Sequence, residues 1–157
     1  MKMLVIEDRG LVLEQIGGIL EYEKINTLVD IIPCCNINQA EEEINMHKSD
    51  IRLICADLSM DPLGFTDEEC YKTEGGILTG WVWLKKIVFS NPELIKTQII
   101  IFTDYINSLE AYIRTNQSEQ TLYNRTTPIS KGMKDGNIGY ENLVQTIKKM
   151  LNSGRSN

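Results

Sequence analysis

Short unbroken apolar runs alternate along this chain with longer segments of helical spacing. Residues 3–6, 28–32, 51–56 and 99–102 have strand length and β-branched content, and a weaker fifth run, 126–130, ends at Lys131. Continuous apolar character, without alternation, predicts strands buried on both faces, as in a parallel sheet. Between the runs, Leu13, Ile16 and Leu20 mark a helix over 11–22, although Gly17 and Gly18 weaken it. Asn38 is placed to cap a helix through Ala40, Ile44 and Met46. Thr79 is placed to cap one containing Trp81, Leu84 and Val88, which stops near Asn91 and Pro92. A weaker helix is expected over 108–115, and a clear final one over 140–151. Strands alternating with helices predict a doubly wound α/β sheet of five parallel strands with right-handed crossovers. Residues 61–79 read as a long acidic loop with a break at Gly75 and Gly76, and 152–157 as a frayed polar tail.

Composition narrows the classes. The length, 157 residues, is that of one domain, expected over 1–151. Sixteen Lys and Arg against 22 Asp and Glu give a net charge of −6. Such a chain has no general attraction for phosphate backbones or anionic lipid, so neither nucleic acid nor a membrane is an expected partner. No apolar run approaches the roughly 18 residues that span a bilayer. Glu7 and Asp8 interrupt the N-terminal apolar run too early for a signal peptide, so a cytoplasmic location is expected. Cys34, Cys35, Cys55 and Cys70 read as reduced thiols, and the lone His47 supports no histidine metal site. One of Trp81 and Trp83, two positions apart on a helix, is expected in the core and the other partly exposed; a partner contact there is the sharper alternative.

The candidate chemistry lies where the apolar runs stop. The first ends in Glu7 and Asp8, the third in Asp57, the fourth in Thr103 and Asp104, and the fifth in Lys131. In an open parallel sheet, ligands bind outside the C-terminal strand ends. An acid pair, an acid, a hydroxyl and an amine would therefore share one edge. Phosphoryl transfer to a carboxylate uses such a set. Clustered carboxylates favour a divalent cation such as Mg²⁺, an Asp serves as nucleophile, and an amine and a hydroxyl stabilise the transferring group.

The segments LVIED (4–8), LICADLSM (53–60), IIIFT (99–103) and PISKG (128–132) resemble, in order and sheet position, the receiver domain of two-component response regulators. The resemblance covers nearly the whole chain. It implies the flavodoxin/CheY-like fold with strand order 2-1-3-4-5, and a stand-alone phosphorelay protein, since no effector region follows Leu151. Asp57 would be the phosphoacceptor. Glu7, Asp8, Asp57 and the Ser59 carbonyl would hold Mg²⁺. Thr103 would read the phosphoryl group and Lys131 would pair with it. The implied partners are a histidine kinase or phosphotransfer protein and an output protein, and the chemistry is confined to the protein's own phosphorylation and dephosphorylation.

Four departures from the family pattern stand out. The stretch from Asp57 to Gly80 is far longer than usual, so 61–79 is an insertion, read either as a lid or docking loop or as a solvated excursion. Asp104 replaces a small residue; it either repels a phosphodonor or points to solvent. Pro128 stands where the family carries its switching aromatic. Gly132 replaces the proline after the lysine, where a cis peptide would cost a few kcal/mol without proline. These departures motivate the competing class, a pseudo-receiver adaptor that keeps the fold without phosphorylation. A metal-dependent phosphatase using Asp57 and Asp61 lacks the Asp-x-Asp spacing of the haloacid-dehalogenase-like enzymes, and no G-x-x-x-x-G-K-[ST] loop occurs.

Overall fold

The computed structural model describes residues 1–132 and 138–153. Five parallel strands, β1 (Lys2–Ile6), β2 (Asp30–Cys34), β3 (Ile51–Ala56), β4 (Gln98–Thr103) and β5 (Thr126–Ser130), form one sheet in the order β2-β1-β3-β4-β5. The continuous apolar runs are explained by the strand period of two. Met3, Val5, Leu53, Cys55, Ile100 and Phe102 face one core, shared with α1 (Gly10–Tyr22) and α7 (Ile138–Ser153). Leu4, Ile6, Ile54, Ala56, Ile99 and Ile101 face the other core, shared with α2 (Ile37–His47), α4 (Thr79–Trp83) and α5 (Ile106–Thr115). The four-residue helix α6 (Gln120–Tyr123) lies on the connection into β5.

Element boundaries depart from expectation in informative places. Strand β2 begins two residues later than its apolar run suggested. It is an edge strand and mostly half-exposed, so apolarity marks it poorly. Both edge strands carry a proline, Pro33 and Pro128, which has no N–H to offer a further strand. The cap of α2 is Asn36, not Asn38; its side chain accepts from the Gln39 N–H at 2.8 Å. Thr79 does not cap α4: its hydroxyl donates back to the Gly76 carbonyl at 3.0 Å. Helix α4 continues as a π-helical turn over Leu84–Phe89. Helix α7 runs on through Asn152 and Ser153, so the expected tail is shorter there, and 154–157 lie outside the described residues.

Two larger corrections concern the second core. Trp81 and Trp83 are both fully buried. Side chains two apart on a helix diverge by roughly 200°, so both are buried only because neighbours cover both flanks of α4. Trp81 packs edge-on against Phe89 and Tyr123, and its Nε1 donates to Glu119 at 2.6 Å. Trp83 Nε1 donates to Glu41 of α2 at 3.2 Å. Residues 61–79 are not one open loop. They contain the short helix α3 (Asp67–Lys72), started by a capping box in which Thr66 and Glu69 satisfy each other's backbone N–H. Glu69 also pairs with Lys86 at 2.9 Å, and the Lys86 ammonium lies over the Phe65 ring.

Candidate functional site

The site is assembled by sheet register. Ile6 is paired with Ala56, so the residues that follow, Glu7 and Asp57, leave the sheet side by side, and the Asp57 N–H donates to the Ile6 carbonyl at 3.0 Å. Thr103 is paired with Ser130, and the next residue, Lys131, donates its N–H to the Thr103 carbonyl at 3.1 Å. The chain runs from β1 out to β2 and back to β3 on the other side. The edge above β1 and β3 is therefore the topological switch point where such sheets bind ligands.

Two glycines allow helices to close on this edge. A Cβ on Gly80 would lie 2.0 Å from the Asp57 carbonyl oxygen, and one on Gly139 would lie 2.3 Å from the Lys131 carbonyl oxygen. The first turns of α4 and α7 thus rest on the backbones of the two central site residues, which no larger side chain would permit.

Glu7, Asp57, Thr103 and Lys131 are all buried, although each is polar or charged. Burial of such groups is tolerated only with partners. Lys131 Nζ donates to Asp57 Oδ2 at 2.6 Å, across 74 residues of chain, and to Glu7 Oε2. Asp57 Oδ1 accepts the N–H groups of Leu58 at 2.6 Å and Ser59 at 3.4 Å, which fixes the plane of the carboxylate. Asp8 is held by the Asp61 N–H at 2.9 Å, the first residue of the insertion. The Thr103 hydroxyl accepts the Tyr105 N–H at 3.3 Å and makes no hydrogen bond to Asp57. Glu7, Asp57 and Lys131 are therefore in direct contact, Asp8 and Ser59 flank them, and Thr103 borders the group through its backbone.

A residue the sequence reading passed over completes the pocket. Arg9 lies between β1 and α1; its backbone N–H and Nε both donate to Glu7 Oε1, at 3.1 and 3.0 Å, and its terminal nitrogen reaches Asp57 Oδ2 at 3.4 Å. The hydrogen bond to Glu7, with the charges of Glu7, Asp57 and Asp104, raises the guanidinium above its already high value. The only signal in the sequence was its place directly after the acidic pair. Asp104 is half-buried just after β4, close enough to Arg9 and Tyr140 for its charge to act on both. Pro128 lies in β5 opposite Ile101. Gly132 takes φ +70°, and no cis peptide occurs among the described residues. Cys55 lies under the pocket, where burial pushes its thiol up to about 12.

The donor set, carboxylates plus a backbone carbonyl, suits a hard, oxygen-seeking cation in kind. Its present arrangement is different: among the described residues no three Asp, Glu, His or Cys side chains are grouped as a metal cage. No described helix is long and apolar enough to cross a membrane.

Comparison with solved structures agrees with the topology. A response-regulator receiver domain protein from Clostridium thermocellum superposes with a TM-score of 0.63 at 15% identity, covering 98% of this chain and 96% of the other. A response regulator from Desulfuromonas acetoxidans gives 0.59 at 16% identity, covering 97% of each. The receiver domain of the hybrid histidine kinase CckA gives 0.58 at 14%, covering 96% and 99%. No family model matches the chain, and no curated protein matches it. The class is thus an open, doubly wound α/β sheet with an acidic pocket at its switch point. Within that class, the chain has the CheY-like fold of response-regulator receiver domains.

Proposed function

We propose that the protein is a receiver that accepts a phosphoryl group on Asp57 from a phosphohistidine of a histidine kinase or phosphotransfer protein, and signals onward by protein–protein contact. The observation that carries this reading is the buried Lys131 ammonium on Asp57 Oδ2 at 2.6 Å, at the sheet's switch point. An oxygen of Asp57 attacks phosphorus and forms the P–O bond. The P–N bond breaks, and the imidazole nitrogen leaves with the electron pair. The backbone N–H groups of Leu58 and Ser59 hold the carboxylate in place for the attack. Lys131 then faces the phosphoryl oxygens, where its charge is most valuable in a dry site, and the Thr103 hydroxyl, at the end of the neighbouring strand β4, would read them. Glu7, Asp8, Asp57 and the Ser59 carbonyl would hold Mg²⁺, which when bound offsets charge on the transferring group. The protein would turn over no external substrate. Four free thiols support a reducing compartment, the cytoplasm.

Acetyl phosphate or beryllofluoride with Mg²⁺ tests this by intact mass and by beryllofluoride-dependent shifts. The wild type is expected to respond, and Asp57→Asn to stay silent. A silent wild type would overturn the reading. The competing reading, a pseudo-receiver adaptor, draws on Asp104 close to Arg9 and on Arg9 over Asp57. It predicts a silent wild type whose partner binding is indifferent to Asp57→Asn.

A further inference from the structure

We infer that Arg9 is a displaceable counter-cation built into the chain: it takes the place of a divalent metal ion over Glu7 and Asp57 and must leave before one binds. The inference rests on the proposed reading of these carboxylates as a Mg²⁺ site. Its first support is occupancy. Glu7 Oε1 accepts from Arg9, Glu7 Oε2 from Lys131, Asp57 Oδ1 from Leu58 and Ser59, and Asp57 Oδ2 from Lys131 and Arg9. Every oxygen of the two buried carboxylates has a donor, and Arg9 supplies one to each acid, at Glu7 Oε1 and Asp57 Oδ2, on the solvent side from which a metal ion would enter.

The second support is the difference between the two cations. The Lys131 side chain is only 5% exposed and has nowhere to go, whereas Arg9 is 46% exposed. Arg9 thus reaches the carboxylates from the solvent side, and rotating its side chain outward costs one 3.0 Å hydrogen bond to Glu7 and a longer 3.4 Å contact to Asp57. Helix α1 does not require it either. Arg9 occupies the cap position of α1 without any side-chain capping bond.

Charge completes the argument. Glu7, Asp8 and Asp57 against Lys131 alone leave an excess of two negative charges, enough to draw a divalent ion. With Arg9 in place the excess is one, and the nearby Asp104 keeps Arg9 attracted to the pocket. Metal binding therefore becomes an exchange of one cation for another, so the pocket fills at a higher Mg²⁺ concentration than the bare carboxylates would set.

Mg²⁺ alone, titrated into wild type, Arg9→Lys and Arg9→Gln, tests this by calorimetry and by the amide signals of Leu58 and Ser59. Arg9→Gln is expected to bind Mg²⁺ about tenfold tighter than wild type, the order of one charge-assisted contact, with Arg9→Lys between. In EDTA, Arg9→Gln should melt below wild type, and saturating Mg²⁺ should close the gap. Equal affinities, or no binding by either protein, would overturn the inference. Phosphorylation separates the two ideas. A wild type that is phosphorylated while Arg9→Gln binds Mg²⁺ no tighter removes this inference alone. Tighter Mg²⁺ binding without phosphorylation of any variant removes the receiver reading alone.

Discussion

Two polar clusters lie within this fold, and they differ in one decisive respect. In the first, Glu7, Asp57, Lys131 and Arg9 meet at the strand ends, and three acids with Asp8 outnumber two cations. In the second, Glu119 accepts from Lys85 at 2.6 Å, Trp81 at 2.6 Å and Tyr112 at 3.1 Å, so one acid faces one cation and two neutral donors. The second closes its own list of partners and ties α4 to the segment before β5. The first has charge left over. A balanced polar cluster acts as a clamp, whereas an unbalanced one in a water-poor pocket holds a capacity to bind something. The first is also the drier, its Glu7, Asp57 and Lys131 side chains no more than 5% exposed against 17% and 22% for Glu119 and Lys85, but burial alone adds little, since a buried ion pair roughly breaks even against apolar packing.

Removing the amine from the first cluster should have the largest effect. Lys131→Met leaves Glu7 and Asp57 facing each other with no buried cation between them, and is expected to cost about 3–5 kcal/mol in urea unfolding. Adding Asp57→Asn should restore a substantial part, because the repulsion is then gone. A double variant no more stable than the single would show that the cluster is a clamp after all.

In the second cluster, Glu119→Ala strands the indole N–H of Trp81 and should cost about 1–3 kcal/mol. It should leave Mg²⁺ affinity unchanged, since no site residue contacts it. Altered metal affinity in Glu119→Ala would erase the distinction between the clusters.

The smallest effect is a pH dependence that reports burial. Cys34 and Cys55 are each raised from 9.0 to about 12, chiefly by desolvation. A pKa raised in the folded state means that the native protein holds these protons more tightly than the unfolded chain. The contribution is therefore complete below pH 9 and is lost as pH rises toward 12. The unfolding free energy from urea titrations should fall between pH 8 and 10, by about 1 kcal/mol per thiol at pH 10, and Cys34→Ala or Cys55→Ala should flatten the slope. Near pH 8, alkylation should proceed at the exposed Cys35 and spare Cys34 and Cys55. Cys55 is the more telling of the two, because the nearby Lys131 holds its thiol down.

Much of the fold was legible along the chain because each central strand is buried on both faces. Residues 51–56 needed no tertiary information to be placed, and the weaker run 126–130, an edge strand, was bounded by the lysine that follows it. Strand β2 was misplaced by two residues because its first four positions are only partly covered and its one buried residue, Cys34, lies beyond the apolar run and after a proline. The α3 capping box was readable from Thr66 and Glu69, yet the surrounding acidic composition obscured it. That both tryptophans are buried was not readable at all, because it depends on α2 and Glu119 closing over α4 from opposite sides.

By itself the sequence determined which residues end the strands. Polar side chains must appear where a buried strand leaves the core, so Glu7, Asp8, Asp57, Thr103 and Lys131 marked one edge of the sheet. Only the tertiary structure decided what those groups do to one another. Lys131 reaches Asp57 across 74 residues and Arg9 reaches it across 48. Contacts of a few ångströms between such distant positions depend on register and helix approach, including the glycines in the first turns of α4 and α7. Local patterning contains no trace of that geometry, because Coulomb's law depends on distance in space and is indifferent to separation along the chain.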